Sequence, residues 1–319
     1  MHMVFHRKLY RFLPVVAVLA LTSVVSAQSE SGPVNGDDAK WLLGNAEVVF
    51  KLNIKQMMES KLMKDRGIKE MRKMIEGNAK AKEILDSMGL DPVKDFDAVL
   101  ASAAGTSASD AKALIAIVGR FDRAKVEKAM SQSEKIKSSK EGNTTVFEFE
   151  MQGQSLYGAF ANDNTMVMTQ DKEATLDAVK NGGKKTAEMS KGMKSALARF
   201  SGQESMAMAM VVSEELRKML QMAPRGGEAA SKLQTIMAGI TVTDNVDFNL
   251  RGITGDAKAA GTLAKLIEGL KAAAGLAGDD VPKPLIELLD SVKVTSDKES
   301  VKIDLKITKE VIEKSGGGN

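Results

Sequence analysis

One local pattern occurs six times in this 319-residue chain: an alternating apolar segment, a helix-capping residue, then an amphipathic segment. In EVVFKLNIKQMMESKL, Val48, Phe50 and Leu52 share one strand face, and Asn53 stands three residues before Gln56, the spacing of a capping box. A change from period two to helical periodicity at such a residue predicts a strand followed by a helix. The six predicted caps are Asn53, Asp122, Asp171, Ser213, Asp256 and Thr308.

The six junctions form two series of three in the same order, which predicts an internal duplication. Each half reads as β-α-β-β-α-β-β-α, with one extra strand in the first half. Alternation such as VKIDLKI implies an antiparallel sheet with one wet face, and amphipathic segments such as residues 189–200 are expected to cover the other face. The predicted fold class is therefore α+β, in two related halves, with helices packed on one face of an antiparallel sheet. The strand residues expected to be buried are Val48, Phe50, Leu114, Val118, Met208 and Met210.

The amino end predicts a secretory signal peptide over residues 1–27. Arg7, Lys8 and Arg11 precede an apolar run, and VSA places small residues before a cleavage point after Ala27. The run has about 14 residues, fewer than the roughly 20 that a membrane-spanning helix needs. No later run approaches that length, so we expect an exported protein, periplasmic or extracellular, without an integral membrane segment in its mature chain.

Composition shifts give the predicted domain boundaries within the mature chain. A polar leader covers residues 28–39, and a segment rich in glycine and lysine separates the halves. The predicted units are repeat 1 over 40–183, a linker over 184–189, repeat 2 over 190–315 and a tail over 316–319.

Loss of the signal peptide removes most catalytic chemistries from the chain. His2 and His6 are its only histidines, and it contains no cysteine. Catalytic triads, cysteine nucleophiles, histidine-ligated zinc and stabilising disulfides are therefore excluded from the mature form. Removing Arg7, Lys8 and Arg11 takes the 45 basic residues to 42, equal to the 42 acidic residues. A neutral chain with 4% aromatics does not suit nucleic acid.

Two groups retain some catalytic or metal-binding potential. Asp91, Asp95 and Asp97 could bind calcium weakly or supply paired acids, although a turn after a helix explains them better. Ser109 and Lys112 have Ser-x-x-Lys spacing, but they lie in a predicted loop, whereas the acylating motif places its lysine one helical turn from the serine. We therefore predict no catalytic residue, no cofactor and no metal site.

A comb of methionines is the remaining feature with chemical potential. Met206, Met208 and Met210 alternate with alanines in the strand MAMAMV. Three interpretations apply: ordinary core, a surface for an apolar ligand, or a soft-metal site. Aligning Asn53 with Ser213 places the comb on positions that the first half fills with core residues, and methionine packs adaptably, which favours core. Same-face strand positions lie roughly 7 Å apart, which disfavours a thioether metal site. The candidate ligand-lining residues are Met206, Met208, Met210, Met57 and Met74.

Three segments resemble uncharacterised exported proteins of planctomycete-type bacteria: WLLGNAEVVFKLNIKQMMES, SMGLDPVKDFDAVLASAAG and ALIAIVGRFDRAKVEKAM. The shared features are the signal peptide, the GLDP turn and the GRFD junction between strand and helix. The resemblance implies export and a repeated α+β fold, and it brings no activity with it.

These observations predict a non-catalytic exported protein. The first candidate is an interaction or scaffold module that binds another envelope protein. The alternative is a carrier that holds a lipid-like apolar molecule in a methionine-lined cleft between sheet and helices. The oligomeric state is left open, as is whether the halves share one sheet.

Overall fold

The computed structural model describes residues 36–105, 112–151, 153–182, 188–275, 288–289 and 291–316. The predicted signal peptide and most of the predicted leader, linker and tail lie outside these ranges. The strands are β1 (Val48–Leu52), β2 (Phe96–Ala104), β3 (Lys112–Gly119), β4 (Ile136–Glu141), β5 (Thr144–Met151), β6 (Gln154–Asn162), β7 (Thr165–Thr169), β8 (Met206–Val211), β9 (Thr235–Val242), β10 (Val246–Ile253), β11 (Lys293–Asp297) and β12 (Ser300–Ile307).

Helices connect these strands, and a π-helical turn (Met63–Gly67) leads into the third helix. The helices are α1 (Gly36–Ala39), α2 (Ile54–Met58), α3 (Ile68–Gly77), α4 (Ala79–Met88), α5 (Arg123–Gln132), α6 (Lys172–Asn181), α7 (Lys191–Leu197), α8 (Glu214–Gln221), α9 (Gly227–Ala230), α10 (Ala257–Gly275) and α11 (Lys309–Gly316). The α+β class is confirmed. Across the described ranges, no helix is both long enough and apolar enough to cross a membrane.

All twelve strands form one continuous antiparallel sheet. Its order is β11-β12-β10-β9-β8-β1-β2-β3-β7-β6-β5-β4. The first strands of the two predicted halves, β1 and β8, are therefore neighbours at the centre. Val48 lies opposite Met210, Val49 opposite Ala209, and Leu52 opposite Met206.

All six predicted capping residues accept a hydrogen bond from a backbone N–H at the start of a helix. Asn53 accepts the Gln56 N–H at 3.2 Å and donates its side-chain amide to Gln56 Oε1 at 2.9 Å. Ser213 accepts the Leu216 N–H at 3.3 Å. The other four caps behave in the same way: Asp122, Asp171, Asp256 and Thr308. These bonds satisfy N–H groups that the first helical turn leaves unpaired.

Helices cover both faces of the sheet, so the prediction of helices on one face is wrong. Face 1 is the side toward which Val49 points, and Met193 and Ala196 of α7 pack there. Face 2 is the opposite side, where Phe50 packs against the cluster that includes Met57 of α2. Further groups on face 2 centre on α5 and on α9 with α10. Face 1 is polar and open near both ends of the sheet, where Lys302 pairs with Asp304 at 2.9 Å and Lys137 pairs with Glu148 at 3.4 Å.

The strand count also needs correction. The predicted first half contains two more strands than the predicted second half, because β4 pairs with β5 although its sequence, IKSSKE, lacks apolar alternation. Met189, the first residue of the segment 189–200, is buried in the same cluster as Met193.

Candidate functional site: a half-buried methionine strip

Five apolar residues cross the middle of face 2 and form the central strip. The strand register places Met206, Met208 and Met210 of β8 directly opposite Leu52, Phe50 and Val48 of β1. Alternate residues of a strand share a face, so these side chains project from the same side of the sheet. The central strip consists of Val48, Phe50, Met206, Met208 and Met210.

The central strip is only half-buried, whereas the residues between its members are fully buried. Ala207 and Ala209 alternate with the methionines and are almost inaccessible, as is Val49 on β1. The alanines leave room for α7 to approach face 1 closely. On face 2, Phe50 and Met206 pack against the cluster that contains Met57, whereas Met208 and Met210 belong to none of the clusters formed by the described residues.

This arrangement corrects part of the predicted core. Six strand residues are expected to be buried, and only Leu114 is, at 6% exposure. The other five are half-buried: Val48, Phe50, Val118, Met208 and Met210. The comb is therefore partly accessible, which weakens the interpretation that it is ordinary core.

Three alanines lie beside the central strip, two on β2 and one on β9. Ala101 and Ala103 of β2 lie opposite Phe50 and Val48, and Ala238 of β9 lies opposite Met208. All three are half-buried. Methyl groups stand lower than Met or Phe side chains, so the strip stands above its neighbours Ala101 and Ala103 on β2, and above Ala238 alone on β9. Sequence reasoning missed these alanines, because only the cross-strand register places them beside the methionines.

The structure brings together some of the predicted ligand-lining residues and separates another. Met57 of α2 belongs to the cluster against which Met206 and Phe50 pack, so it lies at one end of the strip. Met74 is on α3 and is 50% exposed. It is not among the residues that pack against that cluster.

The register does not favour a soft-metal site at the comb. Each methionine of β8 is opposite a hydrocarbon side chain on β1, and on β9 its partners are Ile240, Ala238 and Ile236. Thioethers are therefore separated by hydrocarbon on both sides, whereas copper(I) needs several soft ligands around one point. In the described part of the chain, no group of three or more His, Cys, Asp or Glu residues is placed to hold a metal ion.

The acidic cluster before β2 organises a turn. Asp91 accepts the Val93 N–H at 2.9 Å and pairs with Arg72 of α3 at 3.0 Å. Partial burial works to raise the pKa of Asp91, but these two partners outweigh it and lower the pKa. The Asp91 N–H in turn donates to Asp95 Oδ2 at 2.7 Å. A carboxylate held ionised in this way is a poor general acid.

Asp97 and the Ser-x-x-Lys pair complete the catalytic candidates. Arg120 Nε lies 3.4 Å from Asp97 Oδ1, so this carboxylate also faces a cation. Ser109 lies outside the described residues, and Lys112 is the first residue of β3.

A cleft of about 1150 Å³ opens at another part of the sheet, beside Leu114 and the segment that carries the only tryptophan. Trp41 is almost completely buried in the face 1 cluster. Charges of both signs line the cleft: Lys40 and Lys112 are basic, and Asp177 and Glu188 are acidic. This mixed lining specifies no single ligand class. The buried Trp41 gives the chain an internal fluorescent probe of folding.

Comparison with known proteins gives a structural likeness only. No known protein family matches the sequence, and no curated protein matches it. Crystal form I of TP0453 aligns with 90% of this chain and 96% of its own, at 13% identity and a TM-score of 0.49. Crystal form IV of TP0453 aligns with 91% and 98%, at 12% identity and a TM-score of 0.50. The likeness to form IV shows a similar fold and nothing about function.

Proposed function

We propose that this protein is an exported, non-catalytic interaction module that binds an apolar surface of another envelope protein through the central strip. The half-buried state of Met208 and Met210, beside fully buried Ala207 and Ala209, carries the proposal. Removing apolar surface from water gains about 25 cal/mol per Å². Contiguous exposed apolar surface on a folded protein marks interaction sites, and methionine adapts its shape to varied partners.

The export and the lack of catalysis rest on the sequence. The charged start, the apolar run and VSA before residue 28 support cleavage after Ala27. The resulting chain has no histidine or cysteine. Asp91 and Asp97, its best acidic candidates, each face an arginine. Intact mass of protein recovered from the envelope or medium tests export, and a mature species that retains residues 1–27 contradicts it.

The duplication is also a proposal, and the register at the sheet centre supports it. Aligning the caps Asn53 and Ser213 makes Val48, Val49 and Phe50 equivalent to Met208, Ala209 and Met210. Under that alignment, the pair Val48–Met210 is equivalent to the pair Phe50–Met208, and both pairs occur in the register. A local twofold axis would then pass midway between Val49 and Ala209. The two halves extend outward in the same order up to β3 and β10.

The second candidate is a carrier for a lipid-like molecule. The contact of Met206 with the cluster that contains Met57 favours it, because this end of the central strip runs under α2. A guest that entered there would lie between sheet and helices. Native mass spectrometry of protein purified from its own host distinguishes the two: a co-purifying apolar molecule of defined mass supports the carrier, and a stable protein partner supports the module.

The decisive test compares a lysine substitution in the central strip with a lysine substitution at an exposed position outside it. Met208→Lys is expected to abolish partner binding, because an ammonium in the strip stays hydrated and blocks apolar contact. Ser138→Lys, on exposed β4, is the control and should bind as the unaltered protein does. Met208→Gln is a second, uncharged polar substitution in case Met208→Lys does not fold. Trp41 emission reports the folded state of each variant. Equal binding by Met208→Lys and the unaltered protein rules out the strip as the contact surface.

A further inference from the structure

Methionines account for most of the exposed large apolar side chains in the described chain. Met222 is 77% exposed, Met219 58% and Met74 50%, and Leu270 is the fourth such residue, at 60%. Met219 lies on α8 and Met222 directly follows it, three residues on, so both lie on the same side of the helix. Helix α8 buries none of its residues. The two thioethers are therefore open to solvent and to small reagents.

Other methionines are protected by contrast. Met63, Met130 and Met193 are buried with no more than 1% of their surface accessible, and the strip members Met208 and Met210 are half-buried. The chain has 20 methionines and no cysteine, so its sulfur chemistry rests on thioethers alone. Methionine oxidation depends on access of the oxidant to the sulfur. The fold thus sorts the methionines into open, half-open and closed classes.

We propose that Met219, Met222 and Met74 are the preferential oxidation sites of this protein and that they take up oxidant ahead of the central strip. The oxidant is a two-electron oxygen donor such as hydrogen peroxide. Its O–O bond breaks and one oxygen forms an S=O bond with the thioether. The proton of that oxygen passes to the other oxygen, which leaves as water. Sulfur loses two electrons and the peroxide gains them.

Oxidation at these sites leaves the fold intact. A sulfoxide is more polar than a thioether, so it is costly in a core and tolerated in water. Met219, Met222 and Met74 are each at least 50% exposed, so water can hydrate the new oxygen. At Met193 it would lie in the closed core against face 1, and at Met208 it would add a polar group to the central strip. The exposed thioethers therefore absorb damage at positions where its structural cost is small.

Peptide mapping by mass spectrometry tests the order of reaction. The complete mature protein is treated with limiting hydrogen peroxide, and the sulfoxide fraction at each methionine is followed with time. We expect Met222 and Met219 to react first, Met74 next, the strip later and the buried class last. The same protein unfolded in guanidinium should lose this order. Equal rates in the folded protein, or early reaction at Met63 or Met193, overturn the proposal.

Two variants test the cause, with Trp41 emission as the folding control. Leu270→Met places a thioether at a position that is 60% exposed, and it should oxidise about as fast as Met219. Replacing Met74, Met219 and Met222 together by leucine should raise the sulfoxide fraction at Met208 and Met210 under limiting oxidant. An inert methionine at position 270, or an unchanged strip in the leucine variant, contradicts the proposal. None of these readouts depends on partner binding, so they are independent of the proposed function.

Discussion

Val49 on β1 and Ala209 on β8 lie directly opposite each other at the centre of the sheet, with 1% and 0% of their surfaces exposed. Both project into the cluster that contains Met193 and Ala196 of α7. Small size at position 209 therefore sets how closely α7 can pack on face 1.

Enlarging that position should destabilise the protein. We expect Ala209→Leu to lower the free energy of unfolding by about 1–3 kcal/mol, because the added carbons must displace α7 or adopt a strained rotamer. Met208→Leu, one residue away on the half-buried face, conserves volume and should cost less than about 1.5 kcal/mol. Urea unfolding measures both. A larger loss for Met208→Leu would contradict the assignment of the two faces.

The buried ion pair between Lys51 and Asp38 should contribute more to stability than an exposed ion pair of similar length. Lys51 Nζ lies 2.7 Å from Asp38 Oδ2, with side-chain exposures of 8% and 14%. Asp38→Ala leaves the ammonium buried without this partner and should cost about 3–5 kcal/mol. The pair Lys73–Glu70, at 2.8 Å with exposures of 58% and 57%, is the control. Glu70→Ala should leave the urea midpoint unchanged. Equal effects of the two substitutions would show that burial does not determine how much each ion pair contributes to stability.

The cap of α8 offers a test of local helix stabilisation. Ser213→Ala removes the acceptor of the Leu216 N–H and should cost about 1 kcal/mol. Ser213→Asp supplies another acceptor and should retain most of that stability. Thermal unfolding followed by circular dichroism compares the two. Equal melting temperatures for the alanine and aspartate variants would show that the cap contributes nothing.

Asp91 should make stability depend on pH in the acidic range. Its pKa is lowered in the folded protein, so folding favours the ionised carboxylate. The contribution is therefore present above the unfolded-state value of about 3.9 and is lost as pH falls through the folded value. Asp91→Asn should be less stable than the unaltered protein at neutral pH, and the difference should vanish at low pH. Asp163→Asn, at a side chain that is 86% exposed, serves as the control.

Local signals were readable from the sequence because they depend on neighbouring residues. All six caps were predicted, since a side-chain acceptor and a helical N–H three residues on are fixed by short-range geometry. The strand containing the comb was also predicted. The partial exposure of the comb was not predicted. The face that a helix covers depends on contacts between residues far apart in sequence, such as those of α7 with Val49 and Ala209.

The candidate site was predicted as a set of methionines and not as a surface. Met206 packs against the cluster that contains Met57, whereas Met74 lies apart from it, and the sequence alone does not distinguish these positions. Ala101 and Ala238 became visible only through the register of β2 and β9 with the central strands. A methyl side chain carries no sequence signal of its own.

The polar residues of β4 also affect how this edge of the sheet can meet other molecules. β4 and β11 are the two outermost strands, so within the described residues each has one row of backbone N–H and C=O groups without a neighbouring strand. Lys137 and Lys140 stand on β4, and Lys293 and Asp297 stand on β11, all exposed. A strand from another molecule would have to bring these charges into close contact, which opposes edge-to-edge pairing. The charged edges thus disfavour fibrous aggregation of this open sheet through its outermost strands.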